Sequence, residues 1–210
     1  MRMTGVTRRI AVAWLAASFC LSIANAAPAD DPVAASRFVQ QAGTELATIM
    51  NSAASDADKQ QRMQAFIDRV ADVDAVARFS LGRYWPLATP AQRSEFTRLF
   101  HAVLVNSVSG QSHQYEHETS VGTLGPAEPR PDGMHVTTTV ARGGAPPFHV
   151  TWVVGYDSGS PKIIDVIAEG ISLRVTQRSD YVSFLSRNGG NIDALIKAVR
   201  ETLQAQSEKH

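Results

Sequence analysis

Between Lys162 and Ser186 the chain reads KIIDVIAEGISLRVTQRSDYVSFLS, and this stretch limits the possible folds more than any other. Ile163, Ile164, Val166 and Ile167 cluster as they would in a strand buried in a sheet. Glu169-Gly170 follows, and a glycine there lets the backbone turn with positive φ or pass close to a neighbour. Beyond it the apolar residues recur at three- and four-residue steps, the period of a helix. A strand therefore hands over directly to a helix at this point.

The chain before it is helical. Asp31-Pro32 is an N-cap with proline at N1, and Phe38, Ala42, Leu46 and Ile49 mark one face of a first helix. Ser55-Asp56 opens a second, with Met63, Phe66, Ile67 and Val70; Asp72 opens a third, with Val73, Val76, Ala77 and Phe79, that stops at Gly82. Thr89-Pro90-Ala91-Gln92 is a capping box, and Phe96, Leu99, Phe100, Val103, Leu104 and Val108 stripe the fourth helix behind it. After the anchor stretch, Gly189 is the C′ residue of a fifth helix. Asn191 caps a sixth, with Ile192, Leu195, Ile196, Val199 and Leu203 on one face.

From His113 the period becomes alternating, and turn residues divide four strands: 115–124, 134–142, 148–156 and 162–168. Short turns between consecutive strands predict an antiparallel meander. Met134, Val136, Thr138 and Val140 share a face, as do Phe148, Val150, Trp152, Val154 and Tyr156; His135, Thr137, Thr139, His149 and Thr151 lie opposite. The expected fold class is α+β: a four-stranded antiparallel sheet with about six helices packed on its greasy face.

The N-terminus has the layout of a secretory signal: Arg8-Arg9, an apolar run from Ile10 to Leu21, and Ala24-Asn25-Ala26 as cleavage site. Residues 1–26 are therefore expected to be a signal peptide and 27–210 a single domain, with Sec and Tat export both open. The run is too short for a good membrane span. The lone cysteine, Cys20, follows bulky Phe19 where a lipoprotein site wants a small residue, so it is expected to leave with the signal. Loss of three arginines leaves seventeen basic against twenty acidic residues, a net −3. That balance argues against nucleic acid and against adsorption to an anionic membrane surface, since both need a concentration of positive charge.

No enzyme signature survives inspection. His113, Glu116 and His117 spell the H-x-x-E-H of inverted zinc peptidases, but that chemistry needs both histidines on one helical face. Here Tyr115, His117, Thr119 and Val121 alternate as on a strand, which sets the two histidines ~13 Å apart. No serine has a nucleophile elbow; Ser172 suits a helix cap instead. No Gly-rich phosphate loop follows a strand, and Asp165 and Glu169, four residues apart around a strand end, are too little to claim an acid/base pair. No cofactor and no metal are expected. For the aromatic and aliphatic stripes, periodicity does not separate core wall from pocket wall.

Two separated stretches carry a family resemblance. Asp165-Val166, Glu169-Gly170-Ile171-Ser172-Leu173, Arg178-Ser179 and Tyr181 form one. Ala77-Arg78, Leu81-Gly82-Arg83-Tyr84-Trp85, Thr89-Pro90-Ala91-Gln92-Arg93 and Phe96 form the other. Together they resemble the MlaC-like, toluene-tolerance family of periplasmic lipid carriers. The resemblance implies an apolar cavity between sheet and helices that holds phospholipid tails. Tails would lie against Val136, Val140, Val150, Trp152, Val154 and Val166, closed by Tyr84, Trp85, Phe96, Phe100 and Leu104. Arg178 matches the family arginine, in a structural ion pair or at a headgroup. The family's partners are an outer-membrane lipoprotein complex and an inner-membrane ABC transporter, with the carrier a monomer that serves outer-membrane lipid asymmetry. Asn106, Ser107 and Val108 stand where the family pattern has a tyrosine. That departure opens a polycyclic lipid, a hopanoid or sterol, as the alternative cargo.

Overall fold

The computed structural model describes residues 31–109, 119–123, 125–142 and 145–207. The expected signal segment 1–26 with Cys20, the motif residues His113, Glu116 and His117, and the turn expected at Gly143-Gly144 lie outside these. Among the described residues there are six α-helices: α1 (Pro32–Asn51), α2 (Asp56–Val70), α3 (Val73–Leu81), α4 (Pro90–Ser109), α5 (Leu173–Arg187) and α6 (Ile192–Ser207). A 3₁₀ turn, Gly82–Leu87, links α3 to α4. Six strands complete the fold: β1 (Thr119–Thr123), β2 (Glu128–Arg130), β3 (Gly133–Arg142), β4 (Ala145–Gly155), β5 (Lys162–Ala168) and β6 (Ile171–Ser172).

The helices begin and end where their caps dictate. Asp31 accepts from the Val33 amide at 2.9 Å, Ser55 from Asp58 at 3.2 Å and Asp72 from Ala75 at 2.9 Å, each satisfying an amide with no partner inside its helix. The capping box is reciprocal: the Gln92 amide donates to Thr89 Oγ1 at 3.2 Å, and the Thr89 amide to Gln92 Oε1 at 2.9 Å. Gly189, at φ 61°, turns the chain so that the Gly190 amide reaches the Leu185 carbonyl at 2.7 Å, the Schellman closure of α5. Asn191 then accepts from the Ala194 amide at 3.0 Å to start α6.

The sheet is antiparallel in the order β1-β3-β4-β5-β6, with β2 also paired to β3. Six strands replace the expected four, and the physical reason is length. β1 falls within the first expected strand and pairs with the C-terminal half of β3, while three-residue β2, in a stretch expected as turn, pairs with the start of β3. Two-residue β6 folds back on β5 across Glu169-Gly170, where φ is 50° and 82°. Elements this short carry no readable alternation. The register matches Val136 with Trp152 and Trp152 with Val166, so the three share one face. A bulge between Val153 and Val154 then brings Ile163 onto that face, opposite Val154.

Helices α1 and α2 cover this apolar face. Gly43 lets α1 sit down on β1: a Cβ there would lie 2.8 Å from Val121 Cγ1. Part of the opposite face is closed too, since Val153 (0% exposed) and Asp165 (6%) are buried. Asp165 there meets Arg174, in the first turn of α5. The core falls into two clusters, one between sheet and α1/α2, the other among α3, α4, α5, α6 and the 3₁₀ turn.

Candidate functional site

The sheet-side cluster is the candidate site. Its floor is made by Met134, Val136, Val150, Trp152, Val154 and Ile163, all buried, with Val140, Phe148 and Val166 half-buried beside them. Its roof comes from Val39 and Ala42 of α1, Met63, Phe66, Ile67 and Val70 of α2, and Val105 of α4. Thr138 stands on the floor with 0% exposure, a hydroxyl in hydrocarbon surroundings. It donates to the Val150 carbonyl at 3.1 Å and accepts from Trp152 Nε1 at 2.9 Å. Hydroxyl and indole N–H are thereby both satisfied, and the indole is fixed in orientation as it presents carbon to the cluster. A surface of this kind can take up alkyl chains and offers no charge to a polar ligand.

Val136, Val140, Val150, Trp152, Val154 and Val166, which the family resemblance implied as one wall, are thus brought together. The aromatic residues expected to close that wall lie elsewhere. Tyr84, Phe96 and Phe100 are buried in the helical cluster, and Trp85 packs half-buried on it. Phe96 stacks on Phe100 with centroids 5.9 Å apart, and Tyr181 meets Phe96 edge-on at 5.5 Å. Burial pushes the Tyr181 hydroxyl up to about 12, with Asp180 adding to the shift and a hydrogen bond with Gln177 opposing it. Leu104 packs against both clusters, so α4 is the partition between them. The α1 and α2 stripes were visible in the sequence as helical faces. Nothing in their periodicity said that they, and not the aromatic residues of α4, oppose the sheet.

Polar groups gather at the junction between β5 and α5. Asp165 accepts from the Val166 amide at 2.8 Å, Ser172 Oγ at 2.6 Å and the Arg174 amide at 3.0 Å. Ser172 in turn accepts from the Val175 amide at 3.1 Å, so the strand-to-helix handover is closed by side chains from both sides. Arg174 also reaches Asp132 at 2.9 Å. Burial raises the Asp132 carboxyl, but the hydrogen bond and charge of His135, with the charge of Arg174, outweigh it and hold the group below its ordinary value. Arg178 lies with its guanidinium carbon 4.8 Å from the centre of the Phe79 ring, and Arg174 with its own 4.7 Å from it. Arg178 is tied to Phe79 of α3 rather than to the sheet wall.

A cavity of about 450 Å³ is lined mainly by polar and charged residues, Asp68, Asp72, Asp74, Arg98, His101 and Lys162 among them. Its charged lining does not suit alkyl chains. Among the described residues no three histidine, cysteine, aspartate or glutamate side chains converge as a metal site. Among the same residues, no helix is long and apolar enough to cross a membrane.

The architecture has a solved counterpart. The phospholipid-binding protein from Ralstonia solanacearum, determined in complex with a phospholipid, superposes with a TM-score of 0.70 at 22% identity, over 82% of this chain and 98% of its own. That likeness shows a shared fold. The family model described as MlaC protein matches residues 40–201, which span α1 through most of α6, and the chain belongs to the MlaC family.

Proposed function

We propose that this protein is a lipid carrier that buries phospholipid acyl tails between its sheet and α1/α2 and leaves the headgroup in solvent. The observation that carries the proposal is the apolar cluster floored by Val136, Val150, Trp152 and Val154, whose buried hydroxyl and indole bond each other. Family membership supports it, as does a fold shared with a protein solved around a phospholipid. The physical task is burial. At ~0.8 kcal/mol per methylene, a ~16-carbon chain costs on the order of 12 kcal/mol to expose to water. A carrier meets this with hydrocarbon surface alone, and no catalytic group enters.

In this proposal residues 1–26 direct export, and the folded domain works as a monomer in the periplasm. There it passes lipid between an outer-membrane lipoprotein complex and an inner-membrane ABC transporter. The test is export from a bacterial host, purification without detergent, comparison of native with denaturing mass spectra, and extraction of the bound organic material. A stoichiometric phospholipid is expected. A hopanoid or sterol would keep carriage and change the cargo; an empty protein that also refuses lipid on reconstitution would overturn it.

A further inference from the structure

The 3₁₀ turn Gly82–Leu87 carries a concentration of positive charge that the net charge of the chain conceals. From Ala75 to Ser94 there are three arginines, Arg78, Arg83 and Arg93, and no acid. Glu95, the next residue, is committed to Arg98 and Arg200. Arg83 lies 5.0 Å from the Tyr84 ring centre and donates to the Tyr84 hydroxyl at 3.1 Å. Arg93 lies 5.5 Å from the Trp85 ring centre and donates to the Trp85 and Pro86 carbonyls at 3.0 and 3.2 Å. Arg178 comes in from α5: a Cβ on Gly82 would sit 3.1 Å from its guanidinium. Those partners are rings, a phenol hydroxyl and backbone carbonyls, which hold each guanidinium in place without neutralising it.

Apolar groups stand in the same turn. Leu87 is 71% exposed, Pro86 is exposed, and Trp85 is half-buried. We infer that this turn, with Arg83, Arg93 and Arg178 around it, is a docking element for an anionic bilayer surface, with Leu87 and Trp85 entering the headgroup region. Charge complementarity selects the occupant: interfacial sites combine arginine with tryptophan, tyrosine and leucine in this way. A six-residue turn is small beside the ~800 Å² per partner of a stable protein interface. The net −3 of residues 27–210 does not oppose this, because exposed charges act over a Debye length of roughly 8–10 Å. The purpose of such docking rests on the carrier reading: a carrier held at a bilayer stands beside the membrane-borne complexes with which it exchanges lipid.

The test is co-flotation of the exported, detergent-free protein with phosphatidylcholine vesicles, with and without about one-third phosphatidylglycerol. Binding is expected on the anionic vesicles, falling as salt rises. Arg83→Glu and Arg178→Glu should each weaken it by about fivefold or more, the worth of one surface charge near such a membrane. Leu87→Ser, at an exposed position that folding does not need, should weaken it with the salt dependence retained. Lys197→Glu makes the same change in net charge on α6 and should leave binding alone. Equal binding to both vesicle types, or equal loss in Lys197→Glu and Arg83→Glu, would overturn the inference. Lipid extracted from a protein that ignores anionic vesicles would refute docking and leave carriage standing.

Discussion

Thr138 and Trp152 cancel each other's polarity in the middle of a hydrocarbon wall, and the wall depends on that pair. Thr138→Val removes the acceptor and leaves a buried indole N–H with no partner, at a cost of about 1–3 kcal/mol in denaturant unfolding. The cost should shrink sharply when Thr138→Val is made in a Trp152→Phe background, because no donor is then stranded; a full cost in both backgrounds would mean that threonine acts through backbone or packing alone. Single residues were also where the sequence was most legible. Asp31, Ser55, Asp72, Thr89, Ser172 and Asn191 cap helices as their positions predict, since a cap is decided within three or four residues of chain. Arg178 was not legible in this way: its ring partner, Phe79, lies about a hundred residues earlier and no local rule links them.

At the scale of elements, each stripe in the sequence found a helix or strand, while the pairing of stripes stayed hidden. A 3.6-residue period shows that a face is buried but not against what. Helix α4 is the example, because Phe96 and Phe100 pack in the helical cluster while Val105 packs in the sheet-side one. Its outer surface is clamped to α6 by Glu95, which bonds Arg98 at 2.8 Å and Arg200 at 2.7 Å. Those two arginines hold the Glu95 carboxyl down from 4.5 to about 2. A depressed carboxylate stabilises the fold above its unfolded value and ceases to do so as pH falls through the folded one. The melting-temperature deficit of Glu95→Gln should therefore be present at neutral pH, modest because the site is partly exposed, and should close between pH 4.5 and about 2. A deficit unchanged over that range would mean that charge is not what holds α4 to α6. The seat of α1 on β1 can be tested as well. A leucine at Gly43 would push into Val121, and overpacking of this kind costs about 1–3 kcal/mol against the ~1 kcal/mol or less that a better helix former returns. Net destabilisation by Gly43→Leu is expected in thermal or denaturant melts; a neutral or stabilising effect would show that α1 lifts from β1 at little cost.

The whole molecule is two cores separated by α4, and on the proposed function they have different tasks. The helical core holds the frame, with Tyr181 seated against Phe96 and Phe100, while the sheet-side core is apolar on both sides and opens to take tails. Fold class was legible from the change of period and from the handover at Lys162–Ser186. The division into two cores was not, because it depends on contacts between residues far apart in the chain. The chain from Ala27 onward has two tryptophans, one at each core: Trp152 on the sheet wall and Trp85 beside the helical cluster. Loading Trp85→Phe and Trp152→Phe variants with a phospholipid brominated midway along its acyl chains would locate the tails by contact quenching of the remaining indole. Strong quenching of Trp152, with Trp85 largely spared, is the result expected of tails lying between the sheet and α1/α2. Quenching of Trp85 with Trp152 unaffected would place the tails elsewhere and contradict it.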